Sequence, residues 1–203
     1  MCKQCESKPV YEFTNKRKLC SRCFINWFEK KFFYIIRKFR LIRHGDIVGY
    51  KVGSDFRVVV LEELLKKFSK KAMIEVVKEN TENRKFSVSQ TSRIQEVRDN
   101  KKATKIAIAS TIDSEADEII HELIRGNANL KRVAPIQKIK GEIFIKPLYL
   151  FLDQEVLLYA KIKRLKFKEK TEDKDKISKF INILEEKHPE VKRAVVNSYL
   201  ELY

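Results

Sequence analysis

Glycine and proline are scarce, five and four among 203 residues. So few loop formers argue against disorder, and thirteen phenylalanines point to a helix-rich body with a real interior. No apolar run is long enough to span a membrane. The best candidate, residues 24–42, is interrupted by Glu29, Lys30, Lys31, Arg37, Lys38 and Arg40. Acids are outnumbered, 28 Asp and Glu against 44 Lys and Arg, which leaves a net charge of +16. Such a field attracts polyanions, nucleic acid first, although surplus lysine is also the plain solvated surface of a lysine-rich proteome. The length suits one sizeable core with small appendages.

Cysteine is absent after residue 23. All four copies lie in Cys2-Lys3-Gln4-Cys5 and, fourteen residues later, in Cys20-Ser21-Arg22-Cys23. Two such knuckles bring four thiolates to the corners of a tetrahedron that Zn²⁺ fills, and they leave no open position for water or substrate. The zinc is therefore expected to be structural. The basic ribbon between the knuckles, residues 10–19, alternates enough for a hairpin but has too little apolar surface for a core of its own, so the metal must supply most of its folding free energy. An iron–sulfur cluster also takes four cysteines, though from tighter runs, and a merely structural thiol set is the third reading. No apolar signal segment precedes Cys2, so the chain reads as cytoplasmic with reduced thiols.

From Lys16 to Arg43 the cations Lys16, Arg17, Lys18, Arg22, Lys30, Lys31, Arg37, Lys38, Arg40 and Arg43 face a single acid, Glu29. Phe24, Phe28, Phe32, Ile35, Phe39 and Ile42 recur at three- and four-residue steps, one apolar stripe of a long helix. The stripe reads as packing and the cations as candidate RNA contacts. Lying on an anionic membrane is the lesser alternative, because the apolar face is needed to dock the knuckles on the body.

Downstream, the spacing predicts strands over residues 47–52, 72–77 and 104–109. Helices are expected over 58–69, 91–102 and 111–125, the last capped by Thr111 or Asp113, with Ala116, Ile119, Ile120, Leu123 and Ile124 inward and Gly126 as its stop. Residues 134–149 read as an irregular or extended return, 153–161 as a helix, 163–176 as a charged mobile loop, and 175–188 and 189–202 as closing helices. Strands alternating with helices imply an α/β fold with a parallel sheet, whose ligands sit beyond the strand C-termini, here Gly53-Ser54-Asp55 and Ser110 to Asp113. His44, His121 and His188 stand apart in sequence and are assigned no role.

These elements in this order resemble the PP-loop tRNA 2-thiolation family, adenine nucleotide alpha hydrolase-like sulfurtransferases that place sulfur on a tRNA base. The resemblance is carried by the two knuckles with Phe28-Glu29-Lys30-Lys31-Phe32, by Gly45-Asp46, Ala103-Thr104-Lys105-Ile106-Ala107, Asp113-x-Glu115-Ala116 and Leu123-Ile124-Arg125-Gly126-Asn127. Lys146-Pro147-Leu148, Glu155-Val156-x-x-Tyr159-Ala160, Leu184-Glu185-Glu186-Lys187-His188-Pro189 and Asn197-Ser198 extend it nearly to the end. It implies a zinc module with a basic helix over residues 1–44, a PP-loop α/β core over 45–130 and a C-terminal helical part over 131–203.

The departures carry the functional expectation. The family's Ser-Gly-Gly-x-Asp-Ser phosphate loop has become Gly53-Ser54-Asp55-Phe56-Arg57-Val58, with Phe56 intruding where phosphate should sit. The family's sulfur-bearing Cys-x-x-Cys-Gly has become Phe86-Ser87-Val88-Ser89-Gln90, its later cysteine is missing, and so is the C-terminal zinc finger of some members. The Gly-His-Asn turn has become Ala109-Ser110-Thr111. Gly53, Ser54, Asp55, Ser110 and Asp113 then mark a degenerate nucleotide site at which ATP is not expected. The resemblance implies a non-catalytic subunit, a pseudoenzyme that binds tRNA and an active PP-loop thiolase paralogue. The alternatives are an active ATP-dependent tRNA sulfurtransferase using Ser54, Asp55, Asp113 and Glu115, and a stand-alone zinc-containing RNA-binding protein.

Overall fold

The computed structural model describes residues 1–79, 103–126, 133–168 and 176–202. The chain opens on a two-stranded hairpin, β1 (Tyr11–Glu12) and β2 (Lys18–Leu19), with Tyr11 opposite Leu19. Helix α1 (Ser21–Lys38) follows and buries Phe24, Phe28, Phe32, Ile35 and Ile36. It stops a turn earlier than the stripe suggested. Arg40 turns left-handed at φ 50, and the Leu41 N–H bonds back to the Ile36 carbonyl at 3.0 Å, which folds Leu41 into the core. Phe39 becomes the C-cap, and Ile42 lies beyond the helix.

Next come β3 (Ile47–Lys51), α2 (Phe56–Ala72), β4 (Glu75–Glu79), β5 (Lys105–Ala107) and α3 (Ile112–Ile124). The helix α2 runs through Ala72, where a strand was expected to begin, and ends on left-handed Met73. The helix expected over residues 91–102 lies outside the described residues. The return after α3 is a hairpin, β6 (Ile136–Ile139) and β7 (Glu142–Ile145), turned by Lys140 and Gly141 at φ 49 and 86. Both turn residues need a positive φ, the condition of the tight turns that suit twisted strands. Three helices close the chain, α4 (Asp153–Ile162), α5 (Lys176–Lys187) and α6 (Val191–Leu202).

The main sheet has the order β4-β3-β5-β7-β6, parallel from β4 to β7 with β6 antiparallel at the edge. From β3 the chain crosses one way to β4, and from β5 it crosses the other way to β7. Right-handed crossovers therefore put α2 and α3 on opposite faces. The helices sort accordingly: α1, α2 and α4 pack together over the larger core, while α3, α5 and α6 pack over a smaller one. The larger core runs without a break from Cys2, Leu19 and Phe24 through Val48, Tyr50 and Leu61 to Phe151 and Tyr159. On α3, Ile112, Ala116 and Ile119 point inward as the period demands. Leu123 and Ile124, expected inside, are exposed, while Glu122 of the same turn is buried. The reversal of direction between β3 and β5 is the switch point at which an open α/β sheet offers its ligand crevice.

Candidate functional site

The first knuckle is closed by the Cys2 N–H donating to the Ser7 carbonyl at 2.9 Å and the Glu6 N–H to the Cys2 carbonyl at 3.0 Å. The hairpin carries the chain back, and the Lys3 N–H donates to the Lys18 carbonyl at 3.0 Å, which lays the first knuckle beside the second. There Cys20 is the N-cap of α1, and Cys23 lies in its first turn. All four Sγ atoms lie within 4.8 Å of one another, with Cys5 3.3 Å from Cys20 and 3.5 Å from Cys23. A single ion with metal–sulfur bonds near 2.3 Å sets tetrahedral sulfurs roughly 3.8 Å apart, so this donor set can bind a metal.

The thiols cannot all ionise side by side. Cys5 is drawn down to about 6, first by its hydrogen bonds with Ser7 and then by Cys20 and Cys23, while the bond to Cys5 first of all pushes Cys23 up to about 12. A cation among them removes the conflict, since each thiolate then faces positive charge.

Around α1 the expected cations divide. Lys16, Arg22, Lys30, Arg37, Arg40 and Arg43 are exposed and make no ion pair among the described residues. Lys38 is exposed over the rings of Tyr34 and Phe39, Arg17 lies 4.3 Å from the Phe13 ring centroid, and Lys18 pairs with Glu12 at 3.0 Å. Glu29 does not neutralise this face, because it turns inward to Lys67 and to the Tyr159 hydroxyl at 3.1 Å. Lys31 also turns inward, so it is not part of an open basic surface. Its ammonium sits 3.1 Å from Glu155 and over the rings of Trp27 and Phe151, and burial pulls it down to about 8 against the opposing carboxylate.

That carboxylate is the residue sequence reasoning missed. Glu155 is fully buried and joins three parts of the chain: Lys31 and Tyr11 from the N-terminal module, its own helix α4 through the Leu152 N–H at 3.1 Å, and Arg193 of α6 at 2.7 Å. Glu155 lies in the first turn of α4, where an acid reads as a helix cap and gives no sign of partners far along the chain.

The residues expected at the nucleotide site gather at the switch point, and there the polar ones are held by other groups of the chain. Asp55 is the N-cap of α2 and accepts from the Arg57 N–H at 2.8 Å. A Cβ added at Gly53 would meet Val58 no closer than 3.5 Å, and Gly53 is not left-handed, so nothing in the turn calls for the glycine of a phosphate nest. Phe56 opens α2 with its ring 6.3 Å from that of Phe167, and the Lys168 N–H donates to the Ser54 carbonyl at 2.7 Å. The segment after α4 thus lies across the turn.

Arg57 grips Asp153 through two nitrogens at 2.8 and 2.5 Å. Thr111 stands at the N-cap of α3, yet its hydroxyl donates to Asp153 at 2.7 Å instead of accepting a helix N–H. Asp113 accepts from the Asp153 N–H and from Lys192, each at 2.7 Å, and Lys192 also meets Glu185 at 2.6 Å. Burial alone would lower Lys192, but Asp113 and Glu185 leave it above its usual value. Ser110 donates to Glu115, which is buried against Lys146 at 2.7 Å, so Glu115 is held in an ion pair and does not project into the crevice. Lys105 reaches back to the Leu41 carbonyl and Asp46 at 2.9 and 2.7 Å, tying the sheet to the segment after α1. The segment 86–90 lies outside the described residues.

No protein-family model matches the chain, and no curated protein is recovered as a relative. Among solved structures the chain is similar to a U34-tRNA thiolase, NcsA from Methanococcus maripaludis with its four-iron, four-sulfur cluster. The TM-score is 0.69 at 17% identity, covering 99% of this chain and 86% of the thiolase. The fold is that of a PP-loop thiolase. No helix of the described residues is long and apolar enough to cross a membrane.

Proposed function

We propose that this chain is a non-catalytic subunit of a tRNA 2-thiolation complex. It holds tRNA against its knuckle module and α1, and docks an active PP-loop paralogue through its α/β body. The observation that carries the reading is the self-satisfied switch point. Where the fold would receive a nucleotide, Arg57, Asp153, Thr111, Asp113 and Lys192 bond to one another, and the Phe56–Phe167 contact covers the turn. The chain's only four cysteines are drawn together in one group, so no thiol is left to carry sulfur or to hold a second cluster.

The knuckle holds one structural zinc. A four-iron cluster interposes an iron at each corner and spreads its thiolates wider than the separations seen here. The three stretches 1–44, 45–130 and 131–203 act as one body, with the exposed cations of the first supplying salt-sensitive phosphate contacts and tRNA shape or the partner supplying discrimination. The chain works in the cytoplasm, away from membranes.

The test is twofold. Supplied with ATP, Mg²⁺, sulfide and a tRNA transcript, the purified chain should install no sulfur, and thiolated transcript would overturn the reading. Purified from its source, it should bring down tRNA and a larger PP-loop protein; tRNA without that protein would favour a stand-alone RNA binder.

A further inference from the structure

A cleft of about 320 Å³ lies between the first knuckle and α1, lined by Gln4, Asn26, Trp27, Lys30, Lys31 and Tyr34. Its walls differ from the rest of α1. Phe24, Phe28 and Phe32 of the helix are buried, whereas Trp27 is half-buried and Tyr34, two turns on, is 50% exposed, with Lys30 between them in sequence. The base of Trp27 is fixed: Phe13 lies 4.7 Å and Phe24 5.5 Å away between ring centroids, and the Lys31 ammonium 4.8 Å away. Trp27 therefore enters the cleft already ordered, and the Lys38 ammonium lies 5.9 Å from the Tyr34 ring centroid at the other end. Gln4 and Asn26 add amides able both to donate and to accept.

Aromatic rings, primary amides and an exposed cation in one small cleft match the three parts of a nucleotide: a base face, a base edge and a phosphate. An acidic peptide would find the cations but would leave the rings and amides without a counterpart. We propose that this cleft takes a single unstacked nucleotide of the RNA. Its base stacks on Tyr34 beside the Trp27 wall, Gln4 and Asn26 read its edge, and Lys30 meets its phosphate. The inference rests on the proposed RNA-binding role and adds to it a place where an unpaired base is gripped.

Trp27 is the only tryptophan and lines the cleft, so its fluorescence reports on the cleft wall. The full chain is titrated with decauridylate, with a fully paired RNA duplex and with polyglutamate, and separately with intact tRNA in a filter-binding assay. Decauridylate should quench Trp27 saturably, Tyr34→Ala should weaken it about ten- to a hundredfold, Tyr34→Phe should restore it, and duplex or polyglutamate should leave the fluorescence unchanged. Tyr34 is exposed, and an unaltered melting curve certifies the variant's fold. Equal quenching by polyglutamate, or a decauridylate affinity indifferent to Tyr34→Ala, overturns the cleft. If intact tRNA still binds in that case, the broader reading stands. If tRNA fails to bind while decauridylate quenches, the cleft stands and the tRNA-subunit reading falls.

Discussion

The two ends of this molecule that carry polar chemistry treat it in opposite ways. At the switch point of the sheet almost every polar group has a partner within the chain: Arg57 with Asp153, Asp113 with Lys192, Glu115 with Lys146. Around the knuckles and α1, four thiols crowd together and six cations stand exposed with no acid paired to them among the described residues. Groups bonded to each other are desolvated and geometrically committed, so a ligand must break their bonds before making its own. Groups left in water meet a ligand without that cost. The difference teaches where to look for function: away from the crevice that the fold itself would nominate.

The strongest way to break this contrast is to remove the zinc proposed for the knuckles. Chelation, or Cys20→Ser, should lower the melting midpoint by more than about 10 °C, since a structural zinc contributes on the order of 10 kcal/mol and each kcal/mol shifts a chain of this size by roughly 2–4 °C. Elemental analysis should find one zinc per chain. A midpoint indifferent to chelation would make the four thiols ordinary core residues.

Next in size is the link between the two regions. Glu155→Ala leaves Lys31 and Arg193 facing each other without their carboxylate and should cost about 3–5 kcal/mol in denaturant unfolding. A loss under about 1 kcal/mol would mean that the apolar packing of Phe28 on Phe151 and Tyr159 joins the parts unaided.

Lys31 offers a smaller effect with a definite sign. Its folded value near 8 lies below the unfolded value near 10.5, so it contributes stability above the unfolded value that is lost as pH falls toward 8. Between pH 8 and 9.5 the native chain should therefore gain about 1–2 kcal/mol relative to Lys31→Met, measured by urea unfolding at each pH. Parallel curves for the two proteins would place Lys31 in water.

The open face should respond in binding and not in stability. Arg22→Ala with Arg37→Ala should weaken tRNA about tenfold at low salt and flatten the salt dependence by about two ions, while the melting midpoint stays within about 2 °C. Smallest of all is the signal expected from calorimetric titration with ATP and Mg²⁺, namely none. Micromolar binding would show that the ion-paired crevice still opens.

Much of the site was legible before the fold was known. The knuckle spacing points to its own donor set, because a tetrahedral ion takes four donors and the chain has four thiols at that spacing. The stripe of α1 and the strand–helix alternation were readable for the same reason, as each follows a period imposed by backbone geometry. The β6–β7 hairpin was harder, since Lys140 and Gly141 make a weak turn signal between short strands. Lys31 was misplaced for a different reason. A lysine among lysines looks like surface, and only a carboxylate 124 positions away shows otherwise.

By itself, then, the sequence determined the spacing of the four thiols, the helical stripe, the surplus of positive charge and the absence of a glycine-rich phosphate loop and of any further thiol. All of these are local, set by spacing, composition or the identity of single residues. Only the tertiary structure decided which cations remain in solvent, that Glu155 joins three segments, and that the crevice closes on its own ion pairs. Those facts depend on which distant side chains meet, and long-range Coulomb and hydrogen-bond partners leave no periodic trace along a chain.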